Sequence, residues 1–366
     1  MMAVTSKQPR SQLRVLVTGG AGFIGSALCR HMVEQGEFTV FNVDKLTYAA
    51  NLHSLQSIAE CPNYQFAEAD IADAPRMTEL VRDFSPDAIM HLAAETHVDR
   101  SIDSPQPFVQ TNVVGTAILL DAARRYWGGL PPERRERFRL VMVSTDEVYG
   151  SLNLQDAAFT EATPYDPSSP YAASKAAADH LGIAFHRTYG LPVIISNCCN
   201  NFGPCQFPEK LVPLTILNAL EGKPIGVYGR GENIRDWLHV GDHARALVQV
   251  LRLGRPGEKY NIGARNERAN IDLVRTICDV VDAVVGDGGD RRSLIRFVAD
   301  RPGHDLRYAI DASKAQRELD WSPVASFETA LQHTVRWYIE NRSWWEPLRR
   351  TVYPGTRLGL SEEIYS

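Results

Sequence analysis

The chain has 366 residues, of which 44% are hydrophobic and 23% charged, and its formal net charge is −5. That length outgrows a single compact core and suits two packed domains. The composition excludes a disordered chain, and the slight acidity excludes the broad basic face that nucleic-acid binding requires. No apolar run approaches the roughly 20 residues of a membrane span, and the polar stretch Met1–Gln12 lacks the apolar segment of a signal peptide. A loose tail on a cytoplasmic protein is expected. The six cysteines (Cys29, Cys61, Cys198, Cys199, Cys205 and Cys278) have no zinc-type spacing, and adjacent cysteines such as Cys198-Cys199 rarely bridge. They read as unpaired thiols in a reducing compartment.

Taken in chain order, short apolar, β-branched runs at Arg14–Thr18, Thr39–Asp44, Ala88–Leu92, Leu140–Ser144 and Val193–Asn197 predict buried parallel strands. Between them Phe23–Gln35, Pro75–Phe84, Thr111–Tyr126 and Tyr171–Tyr189 carry helical periodicity. This alternation predicts right-handed crossovers and a doubly wound parallel sheet, an α/β fold. Gly128–Arg137 reads as a charged surface loop. After Asn200 proline and glycine become frequent and the alternation decays. The expected division is therefore residues 1–200 as a first domain and 201–366 as a smaller C-terminal α/β domain, with a segment near 237–250 returning to the first.

The first strand runs into Gly19-Gly20-Ala21-Gly22-Phe23-Ile24-Gly25 and then a helix. Glycines at 19, 22 and 25 supply a tight turn, close approach of backbone to a pyrophosphate, and close contact between helix and strand. The helix start offers free N–H groups to phosphate oxygens. This is the dinucleotide site of a Rossmann domain. Asp44 ends the second strand, nineteen residues past Gly25. A carboxylate there accepts hydrogen bonds from both ribose hydroxyls and repels a 2′-phosphate, so NAD is expected. Lys45 beside it keeps NADP as the alternative, and a simple turn aspartate is the structural one.

Tyr171 and Lys175 lie one helical turn apart and share a face, with Ser169 as N-cap and Pro170 as first helical residue, placing the pair at an exposed helix start. A free tyrosine has a pKa near 10; a lysine ammonium and a cationic nicotinamide both favour its phenolate. The strand Leu140–Ser144 ends in Thr145-Asp146-Glu147, at the carboxyl edge where such sheets place their ligands. Two successive carboxylates beside an anionic substrate are costly to desolvate unless the chemistry uses both, as an elimination does with a base and an acid. A hydrogen-bonded turn is the structural alternative.

The glycine spacing, Leu92-Ala93-Ala94 after a strand, and Tyr171-x-x-x-Lys175 together resemble the extended short-chain dehydrogenase/reductase family, over Arg14 to at least Trp337. The resemblance implies that Phe23, Ile24, Lys45, Leu46 and Thr47 border the cofactor and that Asp70 and Ile71 flank the adenine. It further implies that Leu92, Ala93, Ala94 and Thr111 line the cofactor, that Asn201 joins this set, and that Lys175 bonds the nicotinamide ribose. With Thr145-Asp146-Glu147 added, the chain resembles the sugar-nucleotide 4,6-dehydratases. That implies C4 oxidation with Tyr171 as base and Thr145 on the C4 oxygen, then removal of the C5 proton by Glu147. Asp146 gives its proton to the departing C6 hydroxyl, and hydride returns to C6. Lys45-Leu46-Thr47-Tyr48, His97–Ser101 and Asp300–His304 resemble the branch whose substrate is dTDP-glucose. This implies Thr96, Asn200, Lys210, Leu211, Arg235 and Arg301 around the sugar and diphosphate, Gly226 and Tyr228 at the base, and Asn270, Asp300 and His304 nearby. No metal is expected. Relatives pair the helices Thr111–Trp127 and Tyr171–Tyr189 between two copies, so a homodimer is expected. A sister enzyme for GDP-mannose or UDP-N-acetylglucosamine, a 4-epimerase and a non-catalytic NAD sensor remain the alternatives.

Overall fold

The structure, a computed structural model, describes residues 12–353. Most of the expected N-terminal tail (residues 1–11) therefore lies outside the described residues. The first six strands are β1 (Leu13–Thr18), β2 (Phe38–Asp44), β3 (Tyr64–Glu68), β4 (Ala88–His91), β5 (Arg139–Thr145) and β6 (Val193–Cys198). Six more follow: β7 (Asn200–Phe202), β8 (Ile225–Tyr228), β9 (Ile234–His239), β10 (Lys259–Ile262), β11 (Glu267–Ala269) and β12 (Ile295–Val298). Seven form one sheet in the order β10-β6-β5-β4-β1-β2-β3, and every pairing in it is parallel. The order reverses between β1 and β4, which opens a crevice above their carboxyl ends.

Both faces of the sheet are covered, as continuous apolar strands demand. The helices Phe23–Gln35 and Val240–Leu253 pack on one face, with Leu28, Met32 and Leu247 fully buried. Ala74–Phe84, Thr116–Gly128 and Pro170–Tyr189 cover the other, around Met77, Leu119 and Ala178. Each such leucine or methionine contributes roughly 1.5–3 kcal/mol by leaving water. A third core, including Phe202, Ile216, Leu273 and Tyr338, gathers under the small sheet β11-β9-β7 and the helices Leu211–Glu221, Asn270–Val285 and Phe327–Glu340. Strands β8 and β12 form a separate parallel pair.

Three departures from the sequence reading have physical causes. Pro132–Arg137, expected as loop, is a short helix. Pro131-Pro132 pre-set its first turn, and Arg134 anchors it through Asp87 at 2.9 Å and the Ser85 carbonyl at 3.0 Å. The helix expected from Thr111 begins as a wide π-helical turn, Val109–Gly115. There the Asn112 amide exchanges two hydrogen bonds with the Glu95 backbone, at 2.8 and 3.0 Å. Finally, β10 joins the large sheet beside β6, well beyond the boundary expected at residue 200. The segment near 237–250 divides: β9 stays in the small sheet, whereas Val240–Leu253 lies on the large one. Among the described residues no helix is long and apolar enough to cross a membrane.

Candidate active site

Glycine opens the crevice. Gly19 has φ +75°, and a Cβ there would meet the Ala93 backbone nitrogen at 2.5 Å. At Gly25 a Cβ would stand 2.1 Å from the Gly19 carbonyl, so helix and turn touch only because neither residue has a side chain. Above this turn lies a cavity of about 280 Å³. Its walls include Gly19, Gly22, Phe23, Ile24 and Gly25, with Asp44, Lys45 and Thr47 at one end. Ile71, Leu92, Ala93, Ala94, Thr111 and Asn201 close it, and Thr145, Tyr171 and Lys175 stand at the far end. Leu46 and Asp70 do not line it. Leu46 packs into the core beneath, and Asp70 reaches the rim through Lys45, at 3.8 Å.

Asp44 is buried, and its two oxygens accept the Ala21 and Leu46 amides, each at 2.9 Å. The turn role and the cavity role thus coincide, since a carboxylate retains further lone pairs for hydroxyl donors. Lys45 is drawn elsewhere: its Nζ donates to Thr111 at 2.8 Å and pairs with Glu95 at 3.7 Å, leaving Asp44 to set the charge at this end. Asn201 faces the cavity, yet its amide is engaged by the Cys199 carbonyl and His243.

The catalytic end follows from local sequence. Thr145 caps a short turn, Asp146–Tyr149, by accepting the Glu147 amide at 3.3 Å. This fixes both carboxylates at the end of β5. Asp146 is 1% exposed; one oxygen accepts the Thr145 hydroxyl at 3.3 Å and the other has no partner. Burial, reinforced by the neighbouring Glu147 and Asp236, holds its carboxyl well above the usual range, which favours the protonated form. Burial also raises Glu147, but the cations of Arg301, Arg235 and Lys210 oppose the shift and favour a carboxylate. Two adjacent carboxyl groups in environments that push them apart divide naturally into acid and base.

Ser169 caps the helix that carries Tyr171 and Lys175, accepting the Ala172 amide at 3.1 Å. The pair is buried rather than at an exposed helix start. Tyr171 packs edge-on to Phe108, and burial with the nearby Glu147 carboxylate pushes its phenol up; a hydrogen bond with Thr145 works the other way. Lys175 donates to the Val143 carbonyl at 2.8 Å. A cationic ligand beside Tyr171 would favour its phenolate.

A second cavity, of about 310 Å³, meets the first at Glu147, Thr96, Asn200 and Lys210. It gathers Leu211, Gly226, Tyr228, Arg235, Asn270, Arg301 and His304 from four separate stretches of chain. Arg235 is held by the Ile234 and Asp305 carbonyls and stacks 4.1 Å from the Tyr308 ring centre. Lys210 donates to the Thr96 carbonyl at 2.9 Å, and the Asn270 side-chain oxygen is buried without a partner. Asp300 does not line this cavity. It holds His304 Nδ1 at 2.6 Å, and burial with Arg301 lowers that imidazole to about 4. Sequence reasoning gave no role to His97, Asp99, Glu209 or Tyr308. The first two belong to the His97–Ser101 run that carried the resemblance; for the others the only signal was position, since Glu209 precedes Lys210 and Tyr308 follows the Asp300–His304 run. Among the described residues no group of three or more His, Cys, Asp and Glu side chains is arranged to hold a metal.

One cavity shaped by glycines for a dinucleotide and one lined by cations, joined at Glu147 beside the buried Asp146, fit a dehydratase of activated sugars. The family model for GDP-mannose 4,6 dehydratase matches residues 16–334. The chain belongs to the 4,6-dehydratase family. It is 58% identical over 351 residues to a probable dTDP-glucose 4,6-dehydratase of Sinorhizobium fredii, covering 96% of this chain and all of that one. To the dTDP-glucose 4,6-dehydratase of Escherichia coli it is 55% identical, with 96% and 100% covered. Among solved structures, the dTDP-glucose 4,6-dehydratase of Streptomyces venezuelae with NAD and TYD bound superposes with a TM-score of 0.84. That structure is 46% identical and covers 92% of this chain and 100% of its own.

Proposed function

We propose that this 4,6-dehydratase converts dTDP-glucose to dTDP-4-keto-6-deoxyglucose and water, with NAD as a resident cofactor. The observation that carries the reading is the carboxyl pair at the end of β5: Asp146, buried against the first cavity, and Glu147, half-buried where the two cavities meet. Bound NAD supplies a hydride acceptor at the start of the cycle and a hydride donor at its end. Tyr171 takes the proton of the C4 hydroxyl, and the Thr145 hydroxyl bonds the same oxygen. The 4-ketone so formed acidifies C5, and Glu147 removes that proton. Asp146, whose burial favours the protonated form, delivers its proton to the C6 hydroxyl, which leaves as water, and C5 takes a proton back from Glu147 when hydride returns to C6. Lys210, Arg235 and Arg301 hold the diphosphate, and Tyr228 and Gly226 border the base. The strand-end Asp44, with Lys45 turned to Thr111 and Glu95, supports NAD over NADP. Six unbridged cysteines support a cytoplasmic location. Exposed Val109 and Val114, on the turn leading into Thr116–Gly128, support a homodimer through that helix and Pro170–Tyr189. Purified protein given a panel of nucleotide hexoses should form the 4-keto-6-deoxy product from dTDP-glucose in preference to GDP-mannose or UDP-N-acetylglucosamine. Equal or greater turnover of either rival would overturn the choice of base, and a 4-epimer product would overturn the dehydratase reading.

A further inference from the structure

Asp99 takes no part in the steps above, yet it is 5% exposed and lines the second cavity. It lies in the first turn of the short helix Val98–Asp103, which continues the stretch that leaves the cofactor cavity at Leu92–Ala94 and passes the junction at Thr96. Its two carboxylate oxygens serve two different elements. One accepts Arg301 Nη1 at 3.1 Å, and the other accepts the Tyr228 hydroxyl at 2.9 Å. Tyr228 ends β8, and Arg301 follows β12, the strand paired with it. One carboxylate from the Rossmann side thus fixes two walls of the opposite domain. Arg301 Nε is meanwhile buried without a partner, so the guanidinium has donor capacity left over.

Charge alone would argue against this arrangement. A carboxylate inside a cavity that receives a nucleoside diphosphate repels it and is costly to desolvate. Its benefit is orientation, because an arginine fork bonds a diphosphate well only when its plane is fixed beforehand. We propose that Asp99 is a positioning residue for substrate recognition, presetting the Arg301 guanidinium and the Tyr228 phenol as one clamp for a nucleoside diphosphate. This rests on the nucleotide-sugar reading of the second cavity. The two explanations of Asp99 predict opposite signs. Removing a mere repulsive charge tightens anion binding, whereas removing an orienting acceptor weakens it.

The test is calorimetric titration of the NAD-loaded enzyme with dTDP, alongside steady-state turnover of dTDP-glucose. Asp99→Asn should raise the Kd for dTDP by about tenfold or more, as expected when a charge-assisted bond is lost. KM for dTDP-glucose should rise in parallel, kcat should fall by less, and NAD content should stay at the wild-type level. Tyr228→Phe, which removes one hydroxyl, should give a smaller loss of the same kind. In a double-mutant cycle, Asp99→Asn should add little further loss once Arg301→Lys is present, because the two residues act as a unit. Unchanged or tighter dTDP binding in Asp99→Asn would overturn the proposal, as would full additivity with Arg301→Lys. If Asp99→Asn loses stability as well, the Tyr228→Phe titration decides: a wild-type Kd there also overturns it. Should the wild-type enzyme bind dTDP yet form no 4-keto product, the functional reading fails while the positioning role stands.

Discussion

The two cavities recognise their ligands by different means. The first is built from backbone: glycines at 19 and 25 admit close approach, a helix start offers N–H groups, and one buried carboxylate sets the choice of ribose. The second is built from side chains, with Arg235, Arg301, Lys210, Asp99 and Glu147 drawn from distant segments to line one cavity. Backbone recognition at the glycine turn is rigid, which suits a cofactor retained through each cycle. Side-chain recognition can be set by a few rotamers, which suits a substrate that must enter and leave.

The contrast is broken most severely at Gly19. Gly19→Ala would press a methyl group into the Ala93 backbone at a positive φ, so bound NAD should be lost and the melting temperature should fall. Normal cofactor content in that variant would show that the turn tolerates a side chain. Next comes Tyr171→Phe, which keeps the ring and removes the base. Hydride transfer should fall about 10²–10⁴-fold with dTDP binding intact, as single-turnover kinetics would show. Arg301→Gln acts on the second cavity and on its junction with the first at Glu147. dTDP-glucose KM should rise, with NAD content unchanged. Arg301 is also the leading cation opposing the raised Glu147 carboxyl, so its loss lets that carboxyl climb further. The acid limb of the elimination rate should then move to higher pH. A limb that stays put would separate Arg301 from Glu147. The smallest effect belongs to Asp44→Ala, which should narrow the preference for NAD over NADP, measured by paired titrations.

The same contrast explains what was legible in the sequence. Phe23–Gln35 and the strands around it follow from periodicity and glycine spacing, because local backbone requirements leave local marks. Tyr171, Lys175 and the Thr145–Glu147 run were also found, since one helical turn or one capped strand end brings each group together. The residues of the second cavity were legible only through resemblance, in runs such as Asp300–His304, and their contacts with one another left no local mark. Asp99 meets Arg301 across two hundred residues, and β10 returns to the large sheet only because β6 presents a free parallel edge. The burial of Tyr171 was missed for the same reason: Phe108, which covers it, comes from a distant segment.

The acid role of Asp146 has a consequence for stability. Its carboxyl is raised in the fold, so the folded chain binds this proton more tightly than the unfolded chain does. The associated stability is complete below the ordinary carboxylate range and is lost as pH rises through the raised value. Asp146→Asn cannot ionise, so its melting temperature should decline less than the wild type's toward alkaline pH.

The division of labour between Asp146 and Glu147 is tested most directly by a stopped-flow absorbance measurement on Asp146→Asn and Glu147→Gln protein mixed with dTDP-glucose. Oxidation at C4 needs neither carboxylate, whereas elimination needs both. Both variants should accumulate reduced nicotinamide on the enzyme while release of the 4-keto-6-deoxy sugar drops by about 10²–10⁴-fold. Incorporation of solvent deuterium at C5 should fall most in Glu147→Gln. Product formed at the wild-type rate by both variants, with no accumulation of reduced cofactor, would contradict the assignment and leave the carboxyl pair a structural feature.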